Sequence, residues 1–95
     1  MERSELEFDW DASNVRHLAQ HEITPAEVEH VFRHSPLVVD HRVVDGEVRW
    51  SAVGVTASLR VLVLVYALRG ARIRPITGWD ADKRTKQLYF SSRGT

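Results

Sequence analysis

The chain has 95 residues, of which 43% are hydrophobic and 27% are charged, and this composition is typical of a folded protein with one core. The absence of cysteine excludes a disulfide framework and a thiolate zinc site. The longest apolar run, "VLVLVYAL" at residues 61–68, is too short to span a bilayer, and the stretch "MERSELEFDW" lacks the apolar segment of a secretory signal. We therefore expect one cytoplasmic domain over residues 1–95, with no membrane partner.

The charges sum to zero but are unevenly distributed along the chain. Residues 1–47 include eleven acids and four arginines, a balance of −7, whereas residues 60–86 include seven bases and two aspartates, a balance of +5. This asymmetry favours an anionic partner for the C-terminal part. The alternative is that the two parts neutralise each other in the folded domain, and the composition leaves both interpretations open.

Two N-terminal helices are indicated by apolar spacing and by capping residues. Apolar residues at i, i+3 and i+4 predict a helix over residues 13–20, which Asp11 or Ser13 can cap. The stretch "ITPAEVEHVF" at residues 23–32 predicts the second helix. Thr24 suits its N-cap, proline suits the first helical position, and the glutamate three residues after the cap completes a capping box. The short connection between them predicts a helical hairpin.

From residue 37 onward the apolar pattern changes to alternation, which predicts strands. Asp45-Gly46 and Arg69-Gly70 are turn signals, and Pro75 requires the last strand to be an edge strand or to contain a bulge. The stretch "DADKRTKQLY" at residues 80–89 predicts a closing helix. We therefore predict an α+β fold of two layers, with two N-terminal helices, a four-stranded antiparallel meander sheet and a C-terminal helix.

Histidine is the first candidate for chemistry, because a histidine can move a proton near neutral pH. His17 and His21 are four residues apart on the first predicted helix, as are His30 and His34 on the second. That spacing suits a metal site, but no HExxH pattern accompanies it, so we favour solvated helix faces and expect no metal. His21 is the best single candidate for a proton carrier.

The basic residues of the C-terminal part are the second candidate. Guanidinium groups bind phosphate oxygens and stabilise charge that develops during phosphoryl transfer, and aromatic side chains such as Trp79 and Tyr89 can stack on unpaired bases. The alternative is a solvated sheet edge protected against aggregation by its charges. The basic set comprises Arg60, Arg69, Arg72, Arg74, Lys83, Arg84 and Lys86.

The order of several short motifs carries a family resemblance. They are "FDWDASNVRHLAQHEITPAEVEHVF" from residue 8, "RW" at residues 49–50, "LRVLVLVY" at 59–66, "RIRPIT" at 72–77 and "LY" at 88–89. With these motifs in this order over nearly the whole chain, the sequence resembles the BrnT toxins. These are the RelE-like ribonucleases of type II toxin–antitoxin pairs.

The resemblance implies a RelE-like fold and a metal-independent endoribonuclease without cofactors. Such an enzyme cuts RNA by attack of the 2′-hydroxyl on the adjacent phosphate, and a small DNA-binding antitoxin neutralises it; a homo-oligomer can form within the toxin–antitoxin complex. By the resemblance, Arg72 and Arg74 would hold the phosphate, His21 would carry the proton, and Tyr89 would orient or protonate the substrate. The remaining residues predicted to bind RNA are Arg60, Arg69, Trp79, Lys83, Arg84 and Lys86.

The sequence departs from the family pattern at two positions. In "TGWDA", Trp79 stands where an arginine is common, and in "LAQHEI", Gln20 stands where a lysine is common. The alternative prediction is therefore a non-catalytic BrnT-like module, which binds a protein partner or RNA without cleaving it.

Overall fold

The computed structural model describes residues 5–93. No helix among these residues is both long enough and apolar enough to cross a membrane. In chain order the elements are β1 (Glu7–Phe8), α1 (Ala12–Ala19), α2 (Pro25–Arg33), β2 (Leu37–Val44), β3 (Glu47–Val55), β4 (Val61–Arg69), β5 (Arg72–Asp80) and α3 (Lys83–Arg93).

The sheet is mixed and has five strands in the order β1-β5-β4-β3-β2. Strands β2 to β5 pair antiparallel with their neighbours, whereas β1 pairs in parallel with β5, with Glu7 opposite Arg72 and Phe8 opposite Ile73. The predicted RelE-like arrangement, in which two helices precede a four-stranded antiparallel sheet, is therefore wrong. A strand of two residues is too short to show alternation, and its partner lies 65 positions further along the chain.

Pro75 lies at a bulge in β5. Val65 pairs with Thr77 and the next residue, Tyr66, pairs with Pro75, so Ile76 is the extra residue. The bulge that proline predicted is confirmed. Because β1 covers only the start of β5, α1 packs beside the rest of that strand, where Asn14 donates a hydrogen bond of 2.9 Å to the Pro75 carbonyl.

Local capping fixes the ends of the N-terminal helices. Asp11 is the N-cap of α1 and forms a reciprocal pair of hydrogen bonds with Asn14, and Thr24 forms the equivalent pair with Glu27 at the start of α2. Asp82 accepts a hydrogen bond of 2.8 Å from the Thr85 backbone N–H in the first turn of α3. This bond holds the pKa of the Asp82 carboxyl below its usual value.

Helices cover both faces of the sheet, so the predicted two-layer arrangement is also wrong. Leu62 and Leu64 of β4 pack with α1 and α2, while Val61 and Val63 point to the other face and pack with Tyr89 of α3. The main core lies on the first face. Its buried residues are Leu18, Ile23, Val28, Val31, Phe32, Ala52, Leu62, Leu64, Tyr66 and Ile73.

Candidate nucleic-acid interface

The face that carries α3 is only partly covered, because the helix packs near one end of it. Tyr89 contacts the cluster around Val53, Val61 and Val63, and α3 leaves the rest of this side uncovered. We call the uncovered part the open face. By alternation and strand register its side chains are Asp40, Arg42, Val44, Glu47, Arg49, Ser51, Val65, Ala67, Arg69, Arg72, Arg74, Thr77 and Trp79.

A cleft of about 220 Å³ lies where the open face meets α1. Arg74 of β5 lies opposite Ala67 of β4. On the other side of β4, Trp50 lies opposite Tyr66, so the preceding residue, Arg49, lies beside Ala67 as well. The two arginines therefore flank the small side chain of Ala67. We call this the arginine cleft. Its lining residues are Ser13, Asn14, His17, Arg49, Arg69, Arg74, Pro75 and Ile76.

Arg74 is held in place by two carboxylates that precede α1. Its Nη1 lies 3.0 Å from Asp11 Oδ2 and 3.6 Å from Asp9 Oδ2, and its side chain is only 16% exposed. The hydrogen bond from the Asn14 backbone N–H is the main cause of a lowered pKa at the Asp11 carboxyl, and the nearby Arg74 guanidinium lowers this pKa further. The two carboxylates therefore fix the direction of the guanidinium. Both ion pairs involve Nη1, so the N–H groups on Nη2 and Nε of Arg74 take no part in these two contacts.

Glu47 links the other two arginines of the cleft. Its Oε2 lies 2.9 Å from Arg69 Nε, and its Oε1 lies 3.5 Å from Arg49 Nε. The Arg69 hydrogen bond is the main cause of a lowered pKa at the Glu47 carboxyl. Arg49 Nε is buried, and within residues 5–93 it has no hydrogen-bond partner. Its contact with Glu47 is a long ion pair, and three guanidiniums that converge on one cleft are suited to bind an anion.

A family comparison adds to this geometry. The model for the family described as "Ribonuclease toxin, BrnT, of type II toxin-antitoxin system" matches residues 10–85, which include every residue that lines the arginine cleft. The chain belongs to the BrnT family. The family predicted from the sequence is thus confirmed. BrnT membership implies an antitoxin partner and an RNA substrate. No curated protein matches the chain significantly.

The structure places His17 of this BrnT protein, rather than His21, in the lining of the arginine cleft. His17 lies in the last turn of α1, whereas His21 follows that helix in the turn toward α2. Their ring centroids are 6.2 Å apart. The second histidine pair stacks at 4.0 Å, with His34 Nδ1 2.7 Å from the His30 carbonyl oxygen. Across residues 5–93, no three His, Asp or Glu side chains are grouped so that they could hold a metal ion.

Arg60 has its guanidinium occupied by intramolecular partners. It forms a two-fold ion pair with Asp80, at 2.6 and 3.0 Å, and it donates to the carbonyls of His21 and Glu22. Glu27 lies 3.4 Å from it. These contacts raise the pKa of Arg60 and, mainly through the Arg60 hydrogen bond, lower that of Asp80. Arg60 therefore braces the turn between α1 and α2 against the sheet.

The other predicted residues are spread over the surface. Arg72 is 61% exposed, on the open face next to the cleft, with Glu7 at 3.6 Å. Tyr89 is buried beneath α3, and Arg93 lies over its ring. Lys83 and Lys86 line a shallow depression on α3 that does not share a residue with the arginine cleft, and Arg84 is exposed on the same helix.

Trp79 lines a second depression on the open face, of about 270 Å³, which we call the tryptophan hollow. Arg49 lines both this hollow and the arginine cleft, so the two are adjacent. The lining residues of the hollow are Arg42, Val44, Arg49, Ser51, Val65, Thr77 and Trp79.

A further groove lies on the opposite face, with a volume of about 600 Å³. Its lining is largely apolar and includes Phe32, Trp50 and Leu68, with no charged side chain. It therefore offers no charged group for a phosphate, and Tyr66 is its titratable side chain. Burial beside it raises the pKa of the Tyr66 phenol.

Sequence reasoning did not select Arg49 or His17 as site residues. Arg49 belongs to the polar face of β3, but its proximity to Arg74 depends on the register of β3, β4 and β5 together. His17 reaches the cleft because α1 packs beside β5. The available signal was the alternation in "EVRW", which places Arg49 on the same side as Glu47.

Proposed function

We propose that this chain is a metal-independent endoribonuclease that cleaves RNA in the arginine cleft. The RNA 2′-oxygen attacks the adjacent phosphorus, so a 2′-O–P bond forms and the P–O5′ bond breaks. One group removes the proton of the 2′-hydroxyl, and a proton is delivered to the departing 5′-oxygen. The products are a 2′,3′-cyclic phosphate and a 5′-hydroxyl, and the positions of the reacting oxygens make the step unimolecular.

Arg49, Arg69 and Arg74 hold the non-bridging phosphate oxygens and stabilise the charge that develops on them. Arg72, on the same face, contacts a neighbouring phosphate of the strand. The convergence of three guanidiniums on one cleft is the single observation that carries this proposal. A phosphate there would compete with Glu47, whose contact with Arg49 Nε is a long ion pair of 3.5 Å.

His17 is the proposed proton carrier because its imidazole lines the cleft. His21, favoured by the sequence, lies beside it and serves as the comparison. We expect His17→Asn to lower the cleavage rate about 100-fold or more and His21→Asn to lower it less. Equal losses in the two variants would leave no distinction between them, and a greater loss in His21→Asn would return the role to His21.

The test of the proposed reaction uses purified chain and an RNA oligomer, with EDTA present. We expect cleavage that yields a cyclic phosphate, and no cleavage of the same oligomer with a 2′-deoxy sugar at the cut site. Cleavage that stops with EDTA and returns with a divalent ion would contradict metal independence. Cleavage of the deoxy substrate would contradict attack by the 2′-hydroxyl.

A second candidate is a module that binds RNA without cleaving it. It is favoured by the carboxylates that already pair with Arg69 and Arg74, because an arginine engaged in this way stabilises developing charge less. Tight binding of RNA, combined with no cleavage at any substrate concentration, would support this candidate.

Neutralisation is proposed to occur by coverage of the open face with a small DNA-binding antitoxin. Carboxylates on the antitoxin would compete with phosphate for the exposed guanidiniums of Arg69 and Arg72. We expect RNA and antitoxin to exclude each other in a competition experiment. A ternary complex in which RNA binds with unchanged affinity would contradict steric neutralisation.

A further inference from the structure

The tryptophan hollow has the parts of a site for a flat polar ring. Trp79 forms one wall, and its side chain remains 43% exposed, so part of the indole is accessible. Ser51 and Thr77 provide hydroxyl groups at partly buried positions, and Val65 lies between their strands as an apolar floor. Hydroxyls that donate or accept can contact the edge of a base, and an aromatic face can stack on it.

The position of the hollow relates it to the arginine cleft. Along β5, Thr77 and Trp79 follow Arg74 on the same side of the sheet, so the hollow continues the row that begins with the phosphate-binding arginine. Arg49 lines both depressions. A nucleic-acid strand whose phosphate occupies the cleft therefore has a base-sized recess beside it.

We propose that the tryptophan hollow is a nucleobase subsite, which holds one unpaired base of the RNA by stacking on Trp79. The proposal rests on the proposed function, since it assumes that the RNA phosphate lies in the arginine cleft. It adds that the substrate is single-stranded at this position, because a base within a duplex is not free to enter the hollow.

The test measures binding of short fluorescent RNA oligomers made of 2′-O-methyl nucleotides, which lack the attacking hydroxyl. Oligomers with a single abasic position, placed in turn along the strand, are compared with the complete oligomer. The variants are Trp79→Leu and Trp79→Phe. Phe90→Ala is the control, because Phe90 is an aromatic residue of similar exposure on α3 and does not line the hollow.

We expect Trp79→Leu to weaken binding of the complete oligomer about tenfold or more, and Trp79→Phe and Phe90→Ala to change it little. One abasic position should weaken binding of the oligomer to the parent by about the same factor, and it should not weaken binding to Trp79→Leu any further. Unchanged binding by Trp79→Leu would overturn the subsite. If Trp79→Leu weakened binding of the antitoxin but not of RNA, the hollow would be a protein contact, and the subsite would also be overturned.

Arg74→Gln separates the subsite from the proposed function. If Arg74→Gln weakens binding while Trp79→Leu does not, the subsite is wrong and the cleft remains the RNA site. If the parent chain binds no oligomer at all, both proposals fail.

Discussion

At the scale of single residues, Arg60 acts as a brace between the turn after α1 and the start of β4. Its bonds to the carbonyls of His21 and Glu22 satisfy backbone groups that the end of α1 leaves unpaired. The two-fold ion pair between Arg60 and Asp80 connects the C-terminal end of β5 to the same turn. A positive charge in this position serves the fold, even though the sequence alone cannot distinguish it from the arginines of the open face.

We expect Arg60→Met to lower the free energy of unfolding by about 1–2 kcal/mol, because four charged hydrogen bonds, all of them exposed, are lost together. The matched control is Arg72→Met, whose side chain is exposed and whose carboxylate partner, Glu7, is exposed as well. That variant should stay within about 0.5 kcal/mol of the parent. Chemical denaturation of both variants checks the difference, and equal stabilities would show that Arg60 is not a brace.

Asp80 gives this brace a pH dependence. Arg60 lowers the pKa of the Asp80 carboxyl in the folded state below its ordinary value of 3.8. The unfolded chain therefore binds the proton more readily, so the stabilisation is complete above about pH 4 and disappears as the pH falls through the lowered pKa. Because the Asp80 side chain is mostly exposed, solvent screens the pair, and we expect a contribution of about 0.5–1 kcal/mol at pH 7.

Thermal unfolding of the parent and of Asp80→Asn at several pH values tests this sign. The parent should be the more stable protein at pH 7, and the difference should vanish near pH 2. The Arg60→Met variant should show little effect of Asp80→Asn at any pH. A difference that grows as the pH falls would contradict the assignment.

At the scale of elements, the position of α1 beside β5 depends on Asn14. Its side-chain amide donates to the carbonyls of Asp9 and Pro75, both at 2.9 Å, and its oxygen accepts the Asp11 backbone N–H. Asn14 is buried, and its bond to the Pro75 carbonyl is buried as well. The same contacts bring the carboxylate of Asp11 to Arg74 and the imidazole of His17 to the cleft.

We expect Asn14→Ala to destabilise the protein by about 2–3 kcal/mol, because it leaves the buried Pro75 carbonyl and the partly buried Asp9 carbonyl without this donor. Arg16→Ala, an exposed substitution on the same helix, should cost less than about 0.5 kcal/mol. Urea denaturation checks both. A loss in Asn14→Ala no greater than in Arg16→Ala would mean that packing alone holds α1 on β5.

The elements differ in how much of them the sequence reveals. The capping box at Thr24 and Glu27 is local, and α2 begins where it predicts. The bulge at Pro75 was likewise predicted, since proline removes a donor from the ladder. By contrast, β1 depends on one long-range pairing, and no local pattern marks it. The position of α3 depends on its packing on the sheet, where the Arg93 guanidinium donates to the Ser35 carbonyl and lies over Tyr89.

At the scale of the whole molecule, the uneven charge is organised as pairs across the fold. Acids from the N-terminal half, including Asp11 and Glu47, meet basic residues of the C-terminal half at Arg74 and Arg69. The neutralisation that composition left open therefore occurs in part. At the arginine cleft the pairing is weakest at Arg49, whose Nε lies 3.5 Å from Glu47 Oε1.

The candidate site was accessible to sequence reasoning only in part for the same reason. Arg74 and Trp79 were selected because they lie in one strand with a visible alternation. Arg49 required the register of three strands, and His17 required the docking of α1. The positions of these two residues depend on tertiary packing, which the spacing of residues within a single element does not reveal.

The most direct test of the central claim, that the arginine cleft is where RNA is cut, is a single-turnover cleavage assay. It compares the parent chain with Arg49→Gln and with Arg84→Gln, an exposed arginine on α3 outside the cleft. Thermal unfolding of each protein verifies that it is folded. We expect Arg49→Gln to cleave about 100-fold more slowly and Arg84→Gln to cleave at nearly the parent's rate. Cleavage by folded Arg49→Gln at the parent's rate would contradict the account.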